Sequence, residues 1–113
     1  MVRSILAALL VGTVATAAFA DPLADGVSAR TAKDYAGAMR ILLPLANGGN
    51  DEAQRIVGEM IFQAQGVPAN PAAAFAWTKL AAENGNAIGQ YNLGYLYETG
   101  SGVPRSMDQA VTW

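Results

Sequence analysis

The 113-residue chain has no cysteine and no histidine, sets 7 basic against 9 acidic side chains, and is 52 % apolar. Cys nucleophiles, Ser-His-Asp triads, haem attachment and the usual zinc sites are thereby excluded. The acidic balance and the scattered Lys and Arg argue against nucleic acid as a partner, because phosphate binding needs clustered basic residues.

Residues 1–20 read MVRSILAALLVGTVATAAFA. Arg3 precedes an apolar run from Ile5, and small residues at Ala18 and Ala20 flank Phe19. This is the pattern of a secretory signal with cleavage after Ala20, which predicts a periplasmic or secreted protein. The alternative, an uncleaved anchor, is disfavoured by its short length and by Gly12, Thr13 and Thr16. No later run is long and apolar enough to span a bilayer, so no membrane span is expected after cleavage. No cysteine follows the signal, so a lipid anchor is unsupported, and the core must form without disulfides.

Residues 21–33 predict a lead-in helix, and residues 34–49 a degenerate capping half-repeat. In the second segment Ala36, Met39, Leu42 and Leu43 supply an apolar face, and Pro44 is expected to kink the helix.

From residue 49 onward the chain repeats itself. GNDEAQRIVGEMIFQAQGVPANPAAAFAW (49–77) aligns without gaps to GNAIGQYNLGYLYETGSGVPRSMDQAVTW (85–113), an offset of 36 residues. Gln54/Gln90, Gly58/Gly94, Gly66/Gly102, Pro68/Pro104, Ala74/Ala110 and Trp77/Trp113 are among the identical pairs. A fixed period of this size signals stacked units. The units fall at 50–85 and 86–113, the latter stopping in its second helix at Trp113, which reads as a unit cut short.

Each unit predicts two helices. Asn50 caps the first, with Asp51 and Glu52 at the positive end of the helix dipole. Ala53, Val57, Ile61 and Ala64 recur at helical spacing, which carries this helix to about Ala64. Gly66-Val67-Pro68 then forms the turn. Asn70 and Pro71 open the second helix, and Gly85 closes it. Ser106 to Gln109 has the form of a capping box. Gly58 and Gly94 sit mid-helix, where glycine costs roughly 1 kcal/mol against alanine. Close helix approach is the expected compensation, with Trp77 or Trp113 beside the glycine. These positions are read as packing residues, not as a ligand platform.

The Val-Gly or Leu-Gly pair, the G-V-P turn and the Ala-x-x-Trp helix, all in one period, resemble Sel-one-like repeats. The likeness covers about 50–113, with a weaker unit upstream to Asp34. Val57 for leucine, Ile61 for tyrosine and the missing paired cysteines depart from the pattern. The resemblance implies an all-α fold, a right-handed α/α solenoid of antiparallel helix pairs. It also implies a protein-interaction scaffold that holds an unidentified protein or peptide partner in the cell envelope.

In related solenoids the first helices line the concave side. The candidate partner-binding residues there are Arg55, Glu59 and Gln63 of one unit and Tyr91, Asn92 and Tyr95 of the next. Gln54 and Gln90 are expected near the edge of that surface. Tyrosines suit partner contacts because they offer large area with few rotatable bonds. The alternative is a solvated helix face, with Tyr95 partly covered by the neighbouring repeat. A competing function is β-lactam binding or hydrolysis, as in cysteine-rich members of the resembling family. The sequences after Ser4, Ser28, Ser101 and Ser106 contain no S-x-x-K, and the acids show no catalytic spacing. No catalytic residue, cofactor or metal is therefore expected. A third possibility is an array too short to fold alone.

Overall fold

The computed structural model describes residues 21–113; the apolar N-terminal segment and its cleavage after Ala20 lie outside the described residues. Six helices follow in order: α1 (Pro22–Thr31), α2 (Tyr35–Asn47), α3 (Asp51–Phe62), α4 (Pro71–Glu83), α5 (Ala87–Thr99) and α6 (Met107–Thr112). Each packs mainly on its neighbours in sequence, from α1 on α2 through to α5 on α6. The result is an all-α stack of helix pairs, as a repeating sequence requires.

Local signals in the sequence set the helix starts. Asn50 and Asn70 accept the backbone N–H of Ala53 and Ala73 at 2.9 and 3.1 Å, and Asn86 accepts that of Gly89 at 2.8 Å. Asp34 and Ser106 cap α2 and α6 in the same way. The capping box at Ser106 is only half formed. Its own N–H donates to the Tyr97 carbonyl at 3.0 Å, which ties α6 back to α5. Pro44 is exposed inside α2, which continues through it to Asn47.

The end of α3 differs from the expectation. The helix stops at Phe62, not at Ala64. Ala64 adopts φ 55°, the left-handed conformation, and Gln65 N–H donates back to the Met60 carbonyl at 2.8 Å. One period later Gly100 has φ 70°, and Ser101 N–H donates to Leu96 at 3.0 Å. Both helices therefore end in the same Schellman-type turn. The first unit builds it with alanine, a strong helix former that gives no stop signal.

The G-V-P glycine has a packing role in both units. Gly66 lies against the Cβ of Tyr35, and Gly102 lies against the Pro71 carbonyl, the first residues of α2 and α4. A Cβ at residue 102 would come within 2.0 Å of that oxygen, and φ is +73°. Only glycine fits where the turn crosses the start of the preceding unit's second helix.

The core beneath the stack joins Ala38, Leu42 and Ala46 of α2 to Ala53, Ile56, Val57 and Met60 of α3. Ala74 and Ala81 of α4 and Leu93 and Leu96 of α5 continue it. Gly58 permits a close crossing, but its partner is not Trp77. The nearest atoms to a Cβ there are Thr78 Oγ1 and the Thr78 nitrogen, with the Ala74 carbonyl next. Trp77 is half-buried and turns the other way, toward Met39, Leu43, Ile61 and Pro68. Helix α4 is rotated by about one residue, roughly 100°, from the expected register. Gly94 meets the Ala110 carbonyl and, more distantly, Trp113.

Gln54 is 4 % exposed, inside the stack rather than at a surface edge. Its amide donates to the Ala46 carbonyl at 3.1 Å, and Gln90 donates to Ala82 at 3.3 Å. Those carbonyls also accept the Gly49 and Gly85 N–H groups, both at 3.1 Å, so each glutamine adds a second hydrogen bond at the end of the preceding helix.

Candidate functional site

A groove of about 420 Å³ opens between α3 and α5. Its floor is Gly58, Thr78 and Leu96, and its walls are Glu59, Phe62 and Gln63 on one side and Tyr91, Asn92 and Tyr95 on the other. Gly58 itself leaves no gap, because Thr78 Oγ1 and the α4 backbone fill the place its side chain would take. The Thr78 hydroxyl is buried and donates to the Ala74 carbonyl at 2.7 Å.

All six sequence-predicted residues lie on α3 and α5 or just past the end of α3, and five of them line this groove. They divide into two groups. Tyr91 is 74 % exposed and Tyr95 is 49 % exposed. Both stand on one wall, one helical turn apart, so neither belongs to the core. Exposed Phe62 and Gln63 face them across the groove. Gln63 accepts a hydrogen bond from Gln65 at 2.8 Å. The third tyrosine of α5, Tyr97, faces elsewhere and stacks edge-on against Phe75, with ring centroids 5.4 Å apart.

The second group is occupied internally. Glu59 Oε2 accepts from Arg55 Nη1 at 2.6 Å and from Asn92 Nδ2 at 3.0 Å. Its Oε1 accepts from Arg30 Nη1 at 3.1 Å. Arg55 also pairs with Glu52, and Arg30 Nε donates to Gln65 Oε1 at 3.0 Å. One carboxylate thus joins α1, α3 and α5. Burial pushes the Glu59 carboxyl up, but hydrogen bonds and charge from Arg55, with hydrogen bonds from Arg30 and Asn92, outweigh it and hold the group below its ordinary value. Burial likewise works against the Arg55 charge, and Glu59 and Glu52 overcome it, so its affinity for the proton is raised. Arg30 was not among the sequence candidates. It sits in the lead-in helix, ahead of the repeats, where no repeat register points to it.

Among the described residues no group of three or more metal-binding side chains converges, and no helix is long and apolar enough to cross a membrane. Both oxygens of the one carboxylate in the groove are hydrogen-bonded within the protein. The arrangement offers aromatic area and neutral hydrogen-bonding groups, and no acid-base pair.

The model of the family described as Sel1 repeat matches residues 51–86 and 87–113. Its frame starts each unit at the first residue of α3 and α5, one residue later than the boundaries expected from the sequence. The crystal structure of a Sel1 repeat protein from Oxalobacter formigenes is similar, with TM-score 0.77 and 36 % identity, covering 80 % of this chain and 37 % of that one. Among curated proteins, DAP3-binding cell death enhancer 1 of Rattus norvegicus is 34 % identical over 74 residues, 66 % of this chain. Chitin synthase regulator SKT5 of Malassezia restricta is 40 % identical over 47 residues, 42 % of this chain. The matches span 14 % and 3 % of the length of those two relatives.

Proposed function

Because this chain belongs to the Sel1 repeat family, we propose that it is a non-catalytic interaction scaffold of the cell envelope, holding a segment of a partner protein in the groove between α3 and α5. The observation that carries this reading is the pair Tyr91 and Tyr95, exposed on one wall while the charged groups beside them are paired among themselves. Interface energy concentrates in aromatic and Arg anchors, and here only the aromatic anchors are free to meet a partner. The names of the rat and fungal relatives, a binder of another protein and a regulator, accord with a scaffold role. The signal-like residues 1–20 support an envelope location, periplasmic or secreted.

The test is a crosslinked partner recovered with the wild-type chain and with a Tyr91→Ala, Tyr95→Ala double variant. The expected result is loss of that partner with an unchanged helical circular-dichroism spectrum, since both side chains lie outside the core. Undiminished recovery would move the site away from this groove.

A further inference from the structure

We propose that a second groove, between α5 and α6, takes a lysine or arginine side chain of the same partner segment that the α3–α5 groove holds. This deepens the scaffold reading above and rests on it.

The two grooves occupy the same place in successive units. Gly58 in the first corresponds, 36 residues on, to Gly94 in the second. The second encloses about 290 Å³. Tyr91 and Tyr95 line both grooves and form the ridge between them. A segment lying in the first groove therefore enters the second by crossing the tyrosines.

The chemistry of the two units is exchanged. Arg55 and Glu59, an ion pair in the first unit, give way to Tyr91 and Tyr95 in the second. Phe62 gives way to Glu98. The second groove thus gains a carboxylate and lacks the arginines that balance Glu59.

Glu98 is exposed, and among the described residues it belongs to no ion pair. It stands in the last turn of α5, which carries no basic residue. The carbonyl end of a helix is already negative, so an acid there adds to an unfavourable field. Arg105 reaches this end from the following turn. Its Nε donates to the Glu98 main-chain carbonyl at 3.0 Å and its Nη2 to Met107 Sδ at 3.8 Å. Arg105 therefore answers the helix end and leaves the carboxylate without a counter-charge.

The walls fit a cation on a long apolar stem. Tyr95 lies one turn before Glu98 on α5, and Val111 and Trp113, 81 % and 38 % exposed, stand on the α6 side. Lys and Arg lay their stems along apolar surface while the charged head reaches outward, and a cation is attracted to an aromatic face. An acidic side chain would meet like charge at Glu98. An uncharged one would strip water from that carboxylate without pairing it.

The experiment titrates the isotope-labelled protein with Nα-acetyl-lysine amide, Nα-acetyl-norleucine amide and Nα-acetyl-glutamate amide, following backbone amide shifts by NMR. The lysine compound is expected to shift the amides around Tyr95, Glu98 and Val111 and to bind about threefold or more tighter than the norleucine compound. Its binding should weaken as salt screens the charge. Glu98→Gln, an exposed substitution that leaves the core untouched, should abolish the preference for lysine and its salt dependence. Equal binding of the lysine and norleucine compounds, or a lysine preference that survives Glu98→Gln, would overturn the proposal. In the crosslinking test above, Glu98→Gln should reduce recovery of the partner and make what remains less sensitive to salt. A partner lost with the Tyr91→Ala, Tyr95→Ala variant but recovered undiminished with Glu98→Gln would overturn the basic side chain and leave the scaffold reading standing. A partner undiminished in both would overturn the grooves as its binding site.

Discussion

Ala64→Gly is expected to stabilise the protein. Ala64 and Gly100 hold the same place in successive units, both left-handed, at φ 55° and 70°. A non-glycine residue there costs about 1–2 kcal/mol, from the clash of Cβ with the following carbonyl. Glycine gives back about 0.5–1 kcal/mol through the larger entropy of its unfolded chain. The net gain is up to about 1.5 kcal/mol, and in a domain of this size each kcal/mol raises the melting temperature by about 4–8 °C. No packing is lost, because the Ala64 side chain is exposed. The reciprocal change, Gly100→Ala, should lower stability by a similar amount. A Cβ there meets nothing closer than the Arg105 Cβ at 3.4 Å, so the effect is one of backbone and not of collision. Thermal melts followed by circular dichroism, on both single variants and the double swap, provide the measurement. A lower melting point for Ala64→Gly would refute the common turn geometry and the register built on it.

Gly102→Ala should cost about 3 kcal/mol or more, combining left-handed strain with a collision at the Pro71 carbonyl, and is read from denaturant melts. Trp77→Ala should cost about 2–3 kcal/mol, below the range for a fully buried aromatic, because the ring is only half-buried. Glu59, held below its ordinary pKa of 4.5, contributes stability that is present above that value and lost as pH falls through its lowered folded pKa. Urea melts between pH 7 and pH 3 should therefore show a smaller acid-induced loss in Glu59→Gln than in the wild type.

The fold was legible where local chemistry dictates it. Asn50, Asn70 and Ser106 announce helix starts by residue type alone, and each was found accepting the expected N–H. The two G-V-P turns mark the period. Legibility failed where an answer depends on contacts between units. Nothing in the residue type of Ala64 signals a left-handed stop, and nothing in the spacing tells whether Trp77 or Thr78 faces Gly58, since one residue of helix rotation decides it. The candidate stripe was readable as a set of positions on α3 and α5. Its division was not: Arg30, Glu59 and Asn92 are brought together from three helices, and only their meeting shows that the charged members face one another and leave the tyrosines free.

Whether the groove between α3 and α5 holds the partner is tested most directly by site-specific photocrosslinking in cells. A benzophenone side chain is placed at Gln63, exposed at the groove wall, or at Lys79, exposed on α4. The account predicts one discrete crosslinked protein from position 63, lost in the Tyr91→Ala, Tyr95→Ala background, and none from position 79. A partner captured from position 79 and not from position 63 would contradict it.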